Sequence, residues 1–365
     1  MCQQNNDKRT LMFLIGGAGF IGKHIIEVFN HDEKIDIVVI DKEEQIEDLK
    51  KTELVNDRSK LISLDLNDSS LSRAIDERTG PQNGLINFQN YKDVNIFHLA
   101  SPVGVVNHNV STFYDAMDIN QNVFIFARKL IHETDANLRF WYTSSSELYG
   151  DIDDIGDNKR YMANIKLNTF YDINQKSGGF RSDYIYQKFL GEQLFKQLND
   201  KYTVRIMRLF NIVGKHQDPV KGVFGKFIRD IIDDKPVNVS KSIRCYTKVS
   251  ILTDIIRRLL YTNSDYIQEH DIVTEEFKTS LTSEELYIYL HAYLNKQFMG
   301  DNPKTLNYKH NHLPDEIHIR GRKETMSYTQ FRMEFSHTID SIVSKMCLPK
   351  RGVPPQSPQG NEDAK

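Results

Sequence analysis

The sequence predicts an α/β fold: a doubly wound parallel sheet followed by a smaller C-terminal α/β domain. Two patterns predict it. In the first half, short apolar runs alternate with segments of helical spacing, the order of strands and crossover helices in a parallel sheet. The runs are continuously apolar, as expected of strands buried on both faces. After about Val213 the alternation weakens and longer helical patterns take over, which marks a second domain.

Residues 11–15 form the first expected strand, which ends in glycines. Residues 20–29 follow with helical spacing. Residues 35–40, rich in β-branched side chains, form the second strand, residues 61–66 the third and residues 94–99 the fourth. A long helix is expected over 113–131, a fifth strand over 140–143, another helix over 183–198 and a sixth strand over 203–209. Residues 151–180 interrupt the pattern. They are charged and rich in Asn and Asp, and they read as an insertion loop of a length that is usually functional or mobile. Helical patterns over 225–233 and 283–293 fall in the second domain. The expected organisation is a disordered N-terminus over 1–9, a first domain over 10–213, a second over 214–348 and a disordered tail over 349–365.

Composition narrows the class. Hydrophobic residues make up 39% of the 365 and charged residues 27%, enough for a sizeable core. A net charge of −3 offers no basic field for nucleic acid or a membrane surface. No run approaches the roughly 18 apolar residues of a membrane span, and the first residues lack an apolar signal segment. Cys2, Cys245 and Cys347 have no CxxC spacing, so no metal site is expected. Their sparse, odd number fits reduced thiols in the cytoplasm.

The most informative motif is Gly16-Gly17-Ala18-Gly19-Phe20-Ile21-Gly22, directly after a strand and opening a helix. Glycines there make a tight turn and let a pyrophosphate approach the backbone amides. The helix N-terminus adds unpaired N–H groups and a favourable dipole. Asp41 ends the second strand, 19 residues after Gly22, where an acidic residue accepts the ribose 2′-hydroxyl of NAD. A 2′-phosphate would be repelled there, although the neighbouring Lys42 is a cation that could tolerate one. Asp65, followed by Leu66, is placed either to bond an adenine amino group or to cap a loop.

Tyr184 and Lys188 form Tyr-x-x-x-Lys on an expected helix, and i, i+4 spacing puts both on one face. A tyrosine is a poor base at neutral pH unless a nearby cation favours the phenolate. Such a tyrosine can take a proton from a hydroxyl while the carbon beneath loses hydride. Residues 142–150 end the fifth strand with Ser144, Ser145, Ser146 and Glu147, and open α/β sheets bind ligands beyond the carboxyl ends of their strands. Hydroxyls placed there can orient a sugar hydroxyl, and the carboxylate can act as acid or base.

Four pieces, GGAGFIG at 16–22, HLASP at 98–102, SSSELYG at 144–150 and YIYQK at 184–188, occur in one order. In that order the chain resembles the extended short-chain dehydrogenase/reductases, and within them the NAD-dependent nucleotide-sugar epimerases and dehydratases. RLFNIVG at 208–214 resembles a further motif of that family. The resemblance covers about residues 10–260. It implies a Rossmann domain, bound NAD and a nucleotide-sugar substrate, usually in a homodimer paired through two long helices from each copy. It makes Tyr184 the general base and has Lys188 hold the nicotinamide ribose. Ser145 would bond the sugar 4-hydroxyl, with Ser146 beside it, and Leu99, Ala100 and Ser101 would line the cofactor with His98. It places Asn211, Arg244 and Arg320 on the substrate.

The segment carrying Glu147 resembles both the UDP-glucuronate decarboxylases and the GDP-mannose 4,6-dehydratases, while HLASP at 98–102 and Arg181, three residues before Tyr184, resemble the decarboxylases in particular. The 4-epimerases and 4,6-dehydratases stay open as alternatives. So does a non-catalytic NAD-binding sensor or scaffold. The chain departs from the family pattern at Gly214-Lys215-His216, at Val249-Ser250-Ile251, near Asp271-Ile272-Val273 and at Met333-Glu334-Phe335. All four lie on the substrate side.

Overall fold

The computed structural model describes residues 8–67, 71–79, 86–101, 110–149, 180–218, 222–261, 280–300, 302–310, 319–320 and 325–346. The expected insertion loop and tail, and most of the expected disordered N-terminus, lie outside them. So does the departure at 271–273.

The chain forms two compact units. The first comprises Met1–Ile212 and Thr247–Phe277, and the second Val213–Tyr246 and Lys278–Lys365. The first unit holds six strands: β1 (Arg9–Ile15), β2 (Ile35–Asp41), β3 (Ser59–Ser63), β4 (Tyr91–His98), β5 (Asn137–Ser145) and β6 (Tyr202–Leu209). Their order is β3-β2-β1-β4-β5-β6, and every pairing is parallel. The order reverses between β1 and β4, the position at which doubly wound sheets open a crevice for ligands. The expected third strand runs too far: β3 stops at Ser63, and the Leu64 amide donates to the Asp41 carbonyl as the chain turns.

The connecting helices are α1 (Phe20–Phe29), α2 (Glu43–Lys50), α3 (Leu71–Thr79), α4 (Val110–Leu130) and α5 (Phe180–Lys196). One sheet face packs apolar residues of α3, α4 and α5, among them Leu71, Val123, Phe126 and Phe195. The other face packs Ile25, Ile26 and Phe29 of α1 and Ile46 and Leu49 of α2. Each such side chain, fully buried, contributes roughly 1.5–3 kcal/mol.

After Val213 the chain enters the second unit, through α6 (Gly222–Ile232), β8 (Val237–Val239) and β9 (Ile243–Lys248). It then returns. The next helix, α7 (Val249–Tyr261), packs Leu252, Ile256 and Leu260 on the α1–α2 face of the first unit's sheet. Their spacing of four places all three on one stripe. A contiguous second domain beginning at 214 therefore misses this return. The second unit resumes with β10 (Ser280–Thr282), α8 (Ser283–Leu294) and α9 (Tyr328–Ser344). Capping boxes start both helices, Thr282 with Glu285 and Ser327 with Gln330. Of the departure at 333–335, Phe335 is buried in this unit's core and Met333 is exposed. Among the described residues, no helix is long and apolar enough to cross a membrane.

Candidate active site

The turn between β1 and α1 is built for close approach. Gly16 has φ +78°, and a Cβ there would stand 2.5 Å from the Ala100 amide nitrogen. At Gly22 a Cβ would stand 2.2 Å from the Gly17 carbonyl oxygen. Gly19 caps α1 without any side-chain hydrogen bond, so the first amides of the helix are left to an anion. Phe20 and Ile21 begin that helix. Phe20 lies edge-on to His24, and Ile21 packs against the core. Leu99 and Ala100 cross the same point, both donating to the Ile15 carbonyl at 2.8 and 2.9 Å.

Asp41 closes the turn from the side. Its Oδ2 accepts from the Ala18 amide at 3.0 Å and its Oδ1 from the Lys42 amide at 2.9 Å. Burial raises its pKa against these two donors and the charges of Lys23 and Lys42. The Lys42 ammonium is bound to Asp65 Oδ2 at 2.9 Å. Asp65 Oδ1 accepts from the Asn67 amide, so Asp65 caps its loop as well, and the Lys42 partner holds its carboxyl below the usual range. Leu66 is buried, and its carbonyl accepts from Asn122 of α4. A glycine cradle, an uncapped helix and an acidic group beside them fit a dinucleotide with a free ribose 2′-hydroxyl.

The second cluster forms where β5 meets α5. Ser145, Ser146 and Glu147 are all buried, and the Glu147 amide donates to Ser145 Oγ at 3.2 Å. Tyr184 is hydrogen-bonded to Ser145, which lowers its pKa against a larger increase from burial. Lys188 donates to Ser101 Oγ at 3.0 Å and to the Thr143 carbonyl at 2.9 Å. Burial pushes its ammonium down to about 7, opposed by the charge of Glu192. The ammonium stands 5.9 Å from the centre of the Tyr184 ring. Ser145, Tyr184, Lys188 and Ser101 thus meet through strand ends and one helix face. Such an arrangement can hold a hydroxyl and remove its proton.

The sequence model of the NAD dependent epimerase/dehydratase family matches residues 12–256. The chain belongs to that family. A Methanocaldococcus jannaschii protein assigned as a UDP-glucose 4-epimerase is 25% identical over 230 residues, 62% of this chain and 64% of that protein. The match therefore takes in less than two thirds of that relative's length. UDP-glucuronic acid decarboxylase 3 of Arabidopsis thaliana is 26% identical over 270 residues, 72% of this chain and 68% of that one. Among solved structures, a Bacillus cereus UDP-glucuronic acid 4-epimerase in complex with UDP-glucuronic acid and NAD shares the fold. Its TM-score is 0.66 at 19% identity, covering 92% of this chain and 99% of that one.

Other expected residues of this epimerase/dehydratase chain are placed less fully. Asn211 is half-buried in β7 (Asn211–Val213). Arg181 lies in the first turn of α5, its side chain outside the described residues. Arg244 and Arg320 belong to the second unit. There β9 pairs with β11 (Ile319–Arg320), and the two arginines share one register position.

Behind the face that carries Tyr184 and Lys188, sequence reasoning misplaced His98 and missed Glu192. The His98 imidazole is fully buried, with Nε2 2.9 Å from Asn120 Oδ1, so its side chain supports the core instead of lining a surface. Glu192 accepts from Ser144 at 2.5 Å and from Arg208 at 2.8 and 2.6 Å. The spacing 184, 188, 192 could have placed Glu192 on the same helix stripe. Nothing local in the sequence announces its partner on β6.

Proposed function

We propose that this protein is an enzyme that modifies the sugar of a nucleotide sugar through a 4-keto intermediate, with NAD as its cofactor. The observation that carries the reading is the Tyr184–Ser145 hydrogen bond with Lys188 one helical turn away. Gly16, Gly19, Phe20, Ile21 and Gly22 would hold the pyrophosphate, Asp41 the adenosine ribose, and Asp65, Leu66, Leu99, Ala100 and Ser101 the rest of the cofactor. When bound, NAD takes up hydride from a sugar carbon and can return it. Ser145 orients the sugar 4-hydroxyl, and Ser146 lies beside it. Tyr184 takes that hydroxyl's proton, and the Lys188 cation favours the phenolate. Arg181, Asn211, Arg244 and Arg320 are assigned to the substrate.

A 4-ketone acidifies C5 and weakens the bond to a 6-carboxylate. Glu147, two residues after Ser145, favours chemistry beyond simple epimerisation. A UDP-glucuronate decarboxylase-like reaction is the main reading, with 4-epimerase and 4,6-dehydratase outcomes beside it. Incubation of the NAD-loaded protein with a panel of nucleotide sugars, read by mass spectrometry, distinguishes them. Loss of carbon dioxide, loss of water and unchanged mass with altered chromatography mark the three. No turnover of any sugar with NAD bound would leave a sensor or scaffold instead.

The exposed Tyr114 and Ile125 on α4 and Tyr186 on α5 support a homodimer paired through these helices. A monomeric mass at micromolar concentration in light scattering would remove that assembly. Cys245, buried and in no disulfide, supports a reducing, cytoplasmic setting.

A further inference from the structure

Lys188 is buried, and among the described residues no carboxylate bonds its ammonium. Two of its donors go to neutral groups, Ser101 Oγ and the Thr143 carbonyl. Glu192, one turn further along α5, acts on it by charge alone, because both carboxylate oxygens are taken by Ser144 and Arg208. The Arg208 guanidinium also offsets that charge. From β4, His98 is kept neutral, since burial pushes it down to about 3. From α4 comes the neutral amide of Asn120. Among the described residues two aromatic rings remain: Tyr184 at 5.9 Å and Tyr142 of β5 at 5.4 Å, centroid to Nζ. A cation within about 6 Å of a ring face is attracted by the quadrupole, most strongly where water is excluded.

Tyr142 is 1% exposed, and its position follows from a gap in α5. A Cβ at Gly191 would stand 2.1 Å from the Tyr142 hydroxyl oxygen and 3.1 Å from Asn120 Nδ2. Ring and helix therefore interlock at the residue three after Lys188. An aliphatic side chain at 142 would present no negative face to the ammonium and would not reach Gly191.

We propose that Tyr142 is a positioning residue for the Tyr184–Lys188 pair: its ring face holds the Lys188 ammonium, and its hydroxyl end, seated at Gly191, sets α5 on β5. The inference rests on the proposed role of Lys188 as the cation beside Tyr184.

The test reads Lys188 directly, without substrate. Protein labelled with ε-¹³C lysine is titrated by NMR, and the Lys188 signal is assigned with Lys188→Met. Pentafluorophenylalanine at position 142 keeps the ring's outline and reverses its quadrupole. The Lys188 midpoint is expected to fall by about 0.5–1.5 pH units with the melting temperature held. Tyr142→Leu moves it the same way, and Tyr142→Phe leaves it in place. An unmoved midpoint in the pentafluoro protein overturns the proposal. So does an equal fall in Tyr142→Phe, which assigns the effect to the hydroxyl. The midpoint needs no turnover. A shift without turnover of any nucleotide sugar would sink the proposed function and keep the role of Tyr142.

Discussion

Asp41 accepts a hydrogen bond from the Ala18 amide at 3.0 Å, so the end of β2 is tied to the middle of the glycine turn. The same carboxylate is the group expected to meet the cofactor ribose. Turn geometry and the proposed ribose recognition therefore meet in one side chain.

That coupling predicts the behaviour of Asp41→Asn. Hydrogen bonds to a charged group contribute about 1.5–3 kcal/mol, so NAD⁺ binding should weaken roughly 10–100-fold by calorimetry. NADP⁺ should gain little, because Lys42 is held by Asp65. The added change Asp65→Ala frees Lys42 and should raise NADP⁺ affinity. Wild-type protein that binds NADP⁺ more tightly than NAD⁺ would overturn the role of Asp41.

Tyr184→Phe removes the proposed proton acceptor and keeps the ring. NAD⁺ affinity should hold while turnover falls by about 10²–10⁴-fold. Near-normal turnover in this variant would reduce Tyr184 to a packing residue.

Glu147→Gln separates the possible outcomes. In a dehydratase, exchange of the C5 proton should stop while the 4-keto sugar still forms, which deuterium incorporation reads directly. In a simple 4-epimerase the change should be mild.

The Glu192–Arg208 pair is buried at 0% and 5% side-chain exposure. Removing one partner leaves the other charge in the core, at a cost of about 3–5 kcal/mol. Glu192→Gln should therefore lower the urea midpoint strongly. Replacing both residues with apolar side chains should recover much of the loss. A Glu192→Gln protein of wild-type stability would contradict the buried ion pair.

Gly191→Ala puts a methyl group against the Tyr142 hydroxyl. Overpacking of this kind costs about 1–3 kcal/mol. Tyr142→Leu in the same chain should relieve it, so a double-mutant cycle should show positive coupling. Additive losses would mean that ring and helix do not interlock.

How far these features were legible follows from the range of the forces involved. The strands of the first unit could be read because continuous apolar runs are local, and so could the glycine turn, because its backbone demands act within seven residues. Tyr184 and Lys188 were visible because one helical turn brings them together. The end of β3 was misjudged because Leu64 and Leu66 are apolar, whereas the chain turns at Ser63 on a bond from Leu64 to Asp41.

The sequence by itself determined the six strands of the first unit and their order along the chain, the glycine turn after β1, and the helical spacing that sets Tyr184 and Lys188 on one face. Only the tertiary structure decided that α7 returns to the first unit, that Lys42 is spent on Asp65, and that Tyr142 and Arg208 stand behind Lys188 and Glu192. Periodicity and turn chemistry act between near neighbours in the chain. Ion pairs, ring faces and the space left by a missing side chain join residues tens of positions apart, and their partners exist only once the sheet has formed.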